Sequence, residues 1–280
     1  MENKYEKSKQ LSNKNFKRII GVKRKTFVEM AIVLAMAFAL KHKEGGRNPK
    51  LSIENQLMLA LEYWRQYVTF AELGFNYGVA ESTAHDITVW VEDTLIKSGK
   101  FRLPGKKALL EDKSLKIVLL DVMESPVERP KKKREQKDHY SGKQKKHTIK
   151  TLIFVNKETL EVIAIAQCKG KNHDFKLYKD EFGNAVAEWI KLMADSGFQG
   201  ILDFHKNSET PKKKSKNQPL TDEDKANNRR ISRERIFIEN VNACLKVFKI
   251  LANKYRNRRK RFGLRMSLIC GIYNLERASA

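Results

Sequence analysis

The sequence predicts an α/β domain preceded by an all-α unit, and three observations carry that prediction. Residues 52–97 place apolar side chains at helical spacing throughout. The stretch SGKFRLPGK at 98–106 then breaks the pattern with Gly and Pro. Beyond it, apolar runs of strand length alternate with helical segments, as in a mixed sheet flanked by helices. The boundaries read as 1–48, a basic arm and N-terminal helix; 49–106, a helix-turn-helix unit; and 107–280, the α/β domain.

Residues 1–20 are polar and basic and read as a flexible arm. Residues 27–40, FVEMAIVLAMAFAL, carry Glu29 and fall short of the roughly 20 residues that a membrane span needs. They predict a buried helix over about 24–43, ended by GGRNP at 45–49, and no membrane partner. Ser52 can cap the next helix, where Ile53, Leu57, Leu61 and Trp64 share one face. A short helix from about Thr69 to Tyr77 follows. Gly78 supplies a turn, Val79 packs inward, and a third helix starts near Glu81. In that layout the third helix enters the DNA groove by its first turns. Ser82, Thr83 and His85 are the DNA-contact candidates there, beside the acidic Glu81 and Asp86, which would face phosphates.

The α/β part opens with KIVLLDV at 116–122, an apolar run of a strand buried on both faces that ends on Asp121. A carboxylate in such a place is costly unless it is paired. Residues 123–147 form a basic, Pro-containing connection, and 148–156 with 160–168 read as a hairpin. A helix over about 174–187, a strand at 189–195, a basic loop at 203–228 and a long helix from near Arg229 complete the series. The strand at 189–195 ends on Asp195, repeating the arrangement at Asp121. Sites in open α/β sheets gather beyond the carboxyl ends of strands, so two such Asp can face one crevice and hold a cation. In the long helix, Phe237, Val241, Cys244, Leu245 and Phe248 form an apolar stripe. Arg235, Glu239, Asn242 and Lys246 lie on the other side. Periodicity does not choose between Glu239 and Glu234 as a third acid.

Lys and Arg number 57 against 33 Asp and Glu, a net charge of +24. Such a charge asks for a polyanion, and nucleic acid supplies one. It has no use on a neutral sugar, which argues against a glycosidase with paired carboxylates. One basic block follows Asp121: Lys131, Lys132, Lys133, Arg134, Lys143, Lys145 and Lys146. A second holds Arg256, Arg258, Arg259, Lys260 and Arg261 without an acid between them. Cys168, Cys244 and Cys270 form neither a zinc spacing nor a disulfide framework, which points to a reducing, cytoplasmic compartment.

Three blocks, DVMESPVERPKKK at 121, ADSGFQG at 194 and RERIFIENVNACLK at 233, occur in this order, with YRNRRKRFGLRMSLICGIYNLE closing the chain. Together they resemble the DDE transposases of bacterial insertion sequences, above all the group typified by insertion sequence five, over nearly the whole length. In that family the last acid lies in an Arg-x3-Glu-x6-Lys pattern, which Arg235, Glu239 and Lys246 fit; the resemblance therefore selects Glu239 over Glu234. It implies an RNase H-like fold, with Asp121 on the first strand, Asp195 after the fourth and Glu239 on a late helix. It also implies two Mg²⁺ or Mn²⁺ ions held by these acids. The expected substrate is double-stranded DNA, cut at the element's terminal inverted repeats and joined to target DNA by at least a dimer. Ser232 stands where the family often has Tyr, and Val122 and Met123 where it has a small residue and Thr. The rival reading is a DNA-binding descendant or repressor that keeps the fold without cutting. His173 and Asp174, in GKNHDF, resemble a family feature near the site; from its residue type His173 reads as a satisfied structural histidine.

Overall fold

A computed structural model describes residues 3–46, 48–214 and 219–278 of the chain. Arg47 of the GGRNP break, residues 215–218 of the basic loop and the outermost residues of both ends lie outside the described residues. The first helices are α1 (Lys4–Lys9), α2 (Asn13–Ile20), α3 (Arg24–Lys41), α4 (Ile53–Gln66), α5 (Phe70–Tyr77), α6 (Glu81–Lys97) and α7 (Gly105–Glu111). Then follow β1 (Ile117–Pro126), α8 (Lys133–His139), β2 (Tyr140–Ser141), β3 (Lys146–Asn156), β4 (Val162–Lys169), α9 (Asp174–Phe182), β5 (Lys191–Met193) and β6 (Ser208–Glu209). The chain closes with α10 (Asp222–Lys246), α11 (Lys249–Ala252) and α12 (Phe262–Ala278). Two units divide it: Met1–Arg102 with Leu245–Asn253 and Arg261–Ala280, and Leu103–Cys244 with Lys254–Lys260.

The first unit is helical. Residues 3–20 are not a loose arm: Asn3 accepts bonds from the Tyr5 and Glu6 amides to cap α1, and Ser12 caps α2. Phe16 is fully buried, with the Arg24 guanidinium over its ring. The buried helix expected at 24–43 is buried on one side only. Phe27, Met30 and Leu34 face the core while Val28, Ile32, Met36 and Leu40 are exposed. Helices α4 to α6 follow the expectation, with Ser52 and Thr69 as side-chain caps and Gly78 at φ 64, the left-handed turn between α5 and α6. The last helix, α12, belongs here rather than with the sheet. It buries Met266, Leu268, Ile269 and Ile272, and its Arg265 bonds the fully buried Glu92 of α6 at 2.6 Å. This return rests on contacts far apart in sequence.

The second unit is built on a mixed sheet in the order β4–β3–β1–β5–β6, with β2 also pairing β3. Strands β1, β3 and β4 are antiparallel neighbours, and β5 and β6 run parallel to β1. This is the RNase H-like order. One face packs Leu120, Leu152, Phe154, Tyr178 and Phe182 into a core with α9, and Phe154 and Phe182 lie 4.2 Å apart. The other face carries Leu119 and Asp121 of β1.

Candidate active site

β1 does not stop at Asp121. It continues to Pro126, so Asp121 lies within the strand, paired opposite Ile153 of β3. The opening lies on its other side. β5 is three residues long and its ladder to β1 ends at Leu119↔Met193, two residues before Asp121. The chain then leaves β5 and reaches Asp195, whose Oδ1 accepts the Gly197 amide at 2.8 Å and caps a short turn, Ser196–Phe198. Parallel register thus brings Asp121, within β1, level with Asp195, just past the end of β5.

α10 supplies the rest. Asn242 donates from Nδ2 to Asp121 Oδ2 at 2.8 Å, and Arg235 Nη2 lies 3.4 Å from Asp121 Oδ1. Glu239 sits between these two residues on the helix and is exposed. Glu234 is engaged elsewhere, ion-paired with Lys157 at 2.6 Å. The apolar stripe of α10 is displaced from its expected position: Phe237 and Cys244 are exposed, while Ile231, Ile238, Val241 and Leu245 are buried. Burial pushes the Asp121 carboxyl above its ordinary value. Arg235 opposes that shift, the charges of Asp195 and Glu239 add to it, and the Val122 amide opposes it. Asp121 therefore feels the charge of both other acids.

A buried cation lies on the opposite face of β1 and β3. Lys150 bonds Asp174 at 2.8 Å and lies 4.0 Å from Glu124. Asp174 also neighbours the turn after Asp195: a Cβ at Gly197 would lie 2.9 Å from Asp195 Oδ1 and 3.3 Å from Asp174 Oδ2. His173, by contrast, is exposed and is not a satisfied core histidine.

The donor set suits a hard divalent cation: carboxylate oxygens that repel one another, and a buried Asn242 Oδ1 without a hydrogen-bond partner. Among the described residues no three His, Cys, Asp or Glu converge closely enough to hold a metal as they stand.

Residues 120–274 match the family described as DDE superfamily endonuclease, and residues 49–101 match the helix-turn-helix of DDE superfamily endonuclease. The protein named "Probable transposase for insertion sequence element IS702" of Microchaete diplosiphon is 48% identical over 276 residues, covering 98% of this chain and 99% of that one. The chain belongs to the DDE superfamily endonucleases, among the transposases of insertion sequences. No solved structure matches it. Endonucleases of this superfamily generally use divalent metal ions.

The transposase carries its other candidate residues on several surfaces. Ser82, Thr83 and His85 are exposed in the first turns of α6, with His85 bonded to Asp86 at 3.0 Å. Lys131 and Lys132 line a cleft of about 270 Å³ with Arg129, Arg258 and Arg259, against Glu128 and Glu135. Lys133 begins α8, and Lys143, Lys145 and Lys146 are exposed on the turn into β3. Arg256 and Lys260 are exposed. Arg259 pairs with Glu135 at 2.5 Å, and Arg261 is committed within the first unit to Glu92 and Asp93, each at 2.6 Å. Lys246 is exposed at the end of α10, seven residues after Glu239. Among the described residues no helix is long and apolar enough to cross a membrane.

Sequence reasoning missed Asn242 as a site residue and missed Lys150 entirely. Asn242 could be found only as a polar residue one turn beyond Glu239; Lys150 only as a lone cation in the apolar run TIKTLIFVN.

Proposed function

We propose that the transposase cuts phosphodiester bonds at the terminal repeats of its insertion sequence and joins the freed 3′-OH to target DNA, with Asp121, Asp195 and Glu239 as its cation ligands. The observation that supports this reading is that Asp121, beside the point where the β1–β5 ladder stops, is subject to the charges of both Asp195, just after β5, and Glu239 of α10. Two bound Mg²⁺ or Mn²⁺ ions would activate the attacking hydroxyl and stabilise charge on the attacked phosphate.

The chain's own residues do the rest. Asp121 is held in a strand and by α10, so its position is fixed before substrate arrives. Arg235 balances the Asp121 charge in the free protein and lies on the edge where phosphate would enter. Lys246 adds a point charge further along the same helix. Ser82, Thr83 and His85 would meet base edges of the terminal repeats in the major groove. Lys131, Lys132, Lys133, Lys143, Lys145, Lys146, Arg256, Arg258 and Lys260 would track phosphates without reading sequence. Arg259 and Arg261 would join them only by exchanging a carboxylate partner for a phosphate. Joining two ends asks for at least two copies on DNA, working in the cytoplasm where the DNA lies.

A nicking assay on duplexes carrying the element's ends tests the reading. Wild type, Asp121→Asn, Asp195→Asn, Glu239→Gln and Glu234→Gln are compared with Mg²⁺, with Mn²⁺ and with EDTA. The expected result is metal-dependent cutting by wild type and Glu234→Gln, and none by the other three. End binding without cutting at any metal concentration would instead describe a DNA-binding descendant.

A further inference from the structure

We propose that Asn242 is a positioning residue for Asp121. Its amide anchors one carboxylate oxygen so that the other is presented to the bound cations. The assignment rests on the reading of Asp121 as a cation ligand.

Asn242 follows Glu239 by three residues, which sets the two side chains about one turn apart on neighbouring parts of the α10 surface. It is 8% exposed and is flanked along the helix by the buried Ile238, Val241 and Leu245. A Leu would suit that face and leave no polar atom to satisfy. The amide is satisfied at one end only. Nδ2 donates to Asp121 Oδ2 at 2.8 Å, while Oδ1 is buried with no hydrogen-bond partner. The bond to Asp121 is thus the contact that orients the amide. Turning the amide over is no remedy, since two oxygens would then face each other across that distance.

The two oxygens of Asp121 are held differently. Oδ2 takes the short bond from Asn242, and Oδ1 the longer 3.4 Å contact from Arg235. The firm bond fixes the rotamer; the weak one is the one a cation can displace. Asp195 shows the same division, with its Oδ1 tied to the Gly197 amide at 2.8 Å. Each aspartate is thus anchored by one uncharged N–H donor, from a side chain in one case and from the backbone in the other. Donors that orient metal-ligating carboxylates change metal affinity by about 10–100-fold when removed.

The test is calorimetric titration of Mn²⁺ into the metal-stripped full-length protein. Wild type is compared with Asn242→Leu, which keeps the volume without a donor, and Asn242→Ser, which keeps a shorter donor. Thermal melts in EDTA accompany each titration. The inference expects Leu to raise the Kd for Mn²⁺ about tenfold or more at unchanged stoichiometry, with an unchanged or higher melting temperature. Ser should fall between Leu and wild type, and it carries the comparison should the Leu variant not fold. A role confined to folding would lower the stoichiometry or the melting temperature and leave the Kd alone, which overturns the inference. Equal Kd values for Leu and wild type overturn it too, while the carboxylate reading stands. Absence of Mn²⁺ binding by a folded, DNA-binding wild type would sink both together.

Discussion

Glu92 ties three elements of the helical unit together through its buried carboxylate. It is fully buried on α6; its Oε1 accepts from Trp64 Nε1 at 3.0 Å and from Arg265 Nε at 2.6 Å, and its Oε2 accepts from Arg261 Nε at 2.6 Å. Glu92→Leu removes the carboxylate that compensates Arg265, itself only 2% exposed, and strips the acceptor from a buried indole N–H. Arg261 keeps Asp93, so its share is small. Breaking a buried pair by deleting one partner costs about 3–5 kcal/mol. With the indole N–H added, a loss of about 4 kcal/mol is a conservative figure. For a unit of this size that is roughly 12–20 °C in Tm. The assay is thermal melting of the full chain by circular dichroism, with tryptophan emission as a second probe. Glu92→Leu combined with Arg265→Met should recover much of the loss, because a buried pair replaced as a whole by apolar groups is often neutral. A loss below about 1 kcal/mol for the single variant would refute the reasoning. So would a double variant no better than the single one. Under the proposed function α6 presents Ser82, Thr83 and His85 to DNA, so end binding should fail at the temperature where this unit melts.

Three further outcomes follow from particular contacts. Gly271→Ala would place a Cβ 1.9 Å from the Phe101 carbonyl oxygen, so it should destabilise by about 1–3 kcal/mol, against the helix preference for Ala; a melt that moves upward would contradict the packing. Burial holds the His139 imidazole below its ordinary value of 6.5, so the stability it supports is present above that value and drains as pH falls through the folded value. Urea midpoints from pH 7.5 to 5.5 should therefore drop less for His139→Asn than for wild type, and equal slopes would reject the assignment. Lys131→Ala and Lys132→Ala should weaken binding to any duplex alike, each lowering the slope of log K against log salt by about one, as measured by fluorescence anisotropy. Slopes that stay at the wild-type value would remove the cleft from the DNA surface.

What the sequence displayed and what it hid differ by the range of the interaction. Ser52, Thr69 and Gly78 act on their own neighbours, so the caps and the turn of the helical unit were readable in place. The hairpin of β3 and β4 was readable for the same reason. Phe16 and Ile20 were submerged among lysines and asparagines, and the two buried residues became visible only against the helices they pack on. The return of α12 depends on Arg265 meeting Glu92, a pair that no local pattern announces. Along α10 the period was right and the facing was wrong. Arg235 and Asn242 share a side and look onto a carboxylate, whereas Phe237 and Cys244 of the expected apolar stripe take exposed places.

The carboxylate in the run KIVLLDV has a physical reason once β1 is seen to continue past it. A strand that ended at Asp121 would leave the side chain at the start of a loop, free to turn into water. A strand that continues to Pro126, paired on one side with β3, fixes the backbone on both flanks of Asp121. The short β5 opens the other side at that level. Rigid backbone and an open edge are the two properties a cation ligand needs, and each comes from the length of a strand rather than from the residue itself. The cost of holding the charge there is met by α10, which brings Arg235 and Asn242 to it. The same helix carries Glu239, so under the proposed function the element that makes Asp121 tolerable in the free protein would also complete the acid set. A change that shifts α10 along its axis should therefore disturb stability and cutting together, whereas a change at Glu239, exposed and outside the Asp121 contacts, should abolish cutting and leave the fold intact.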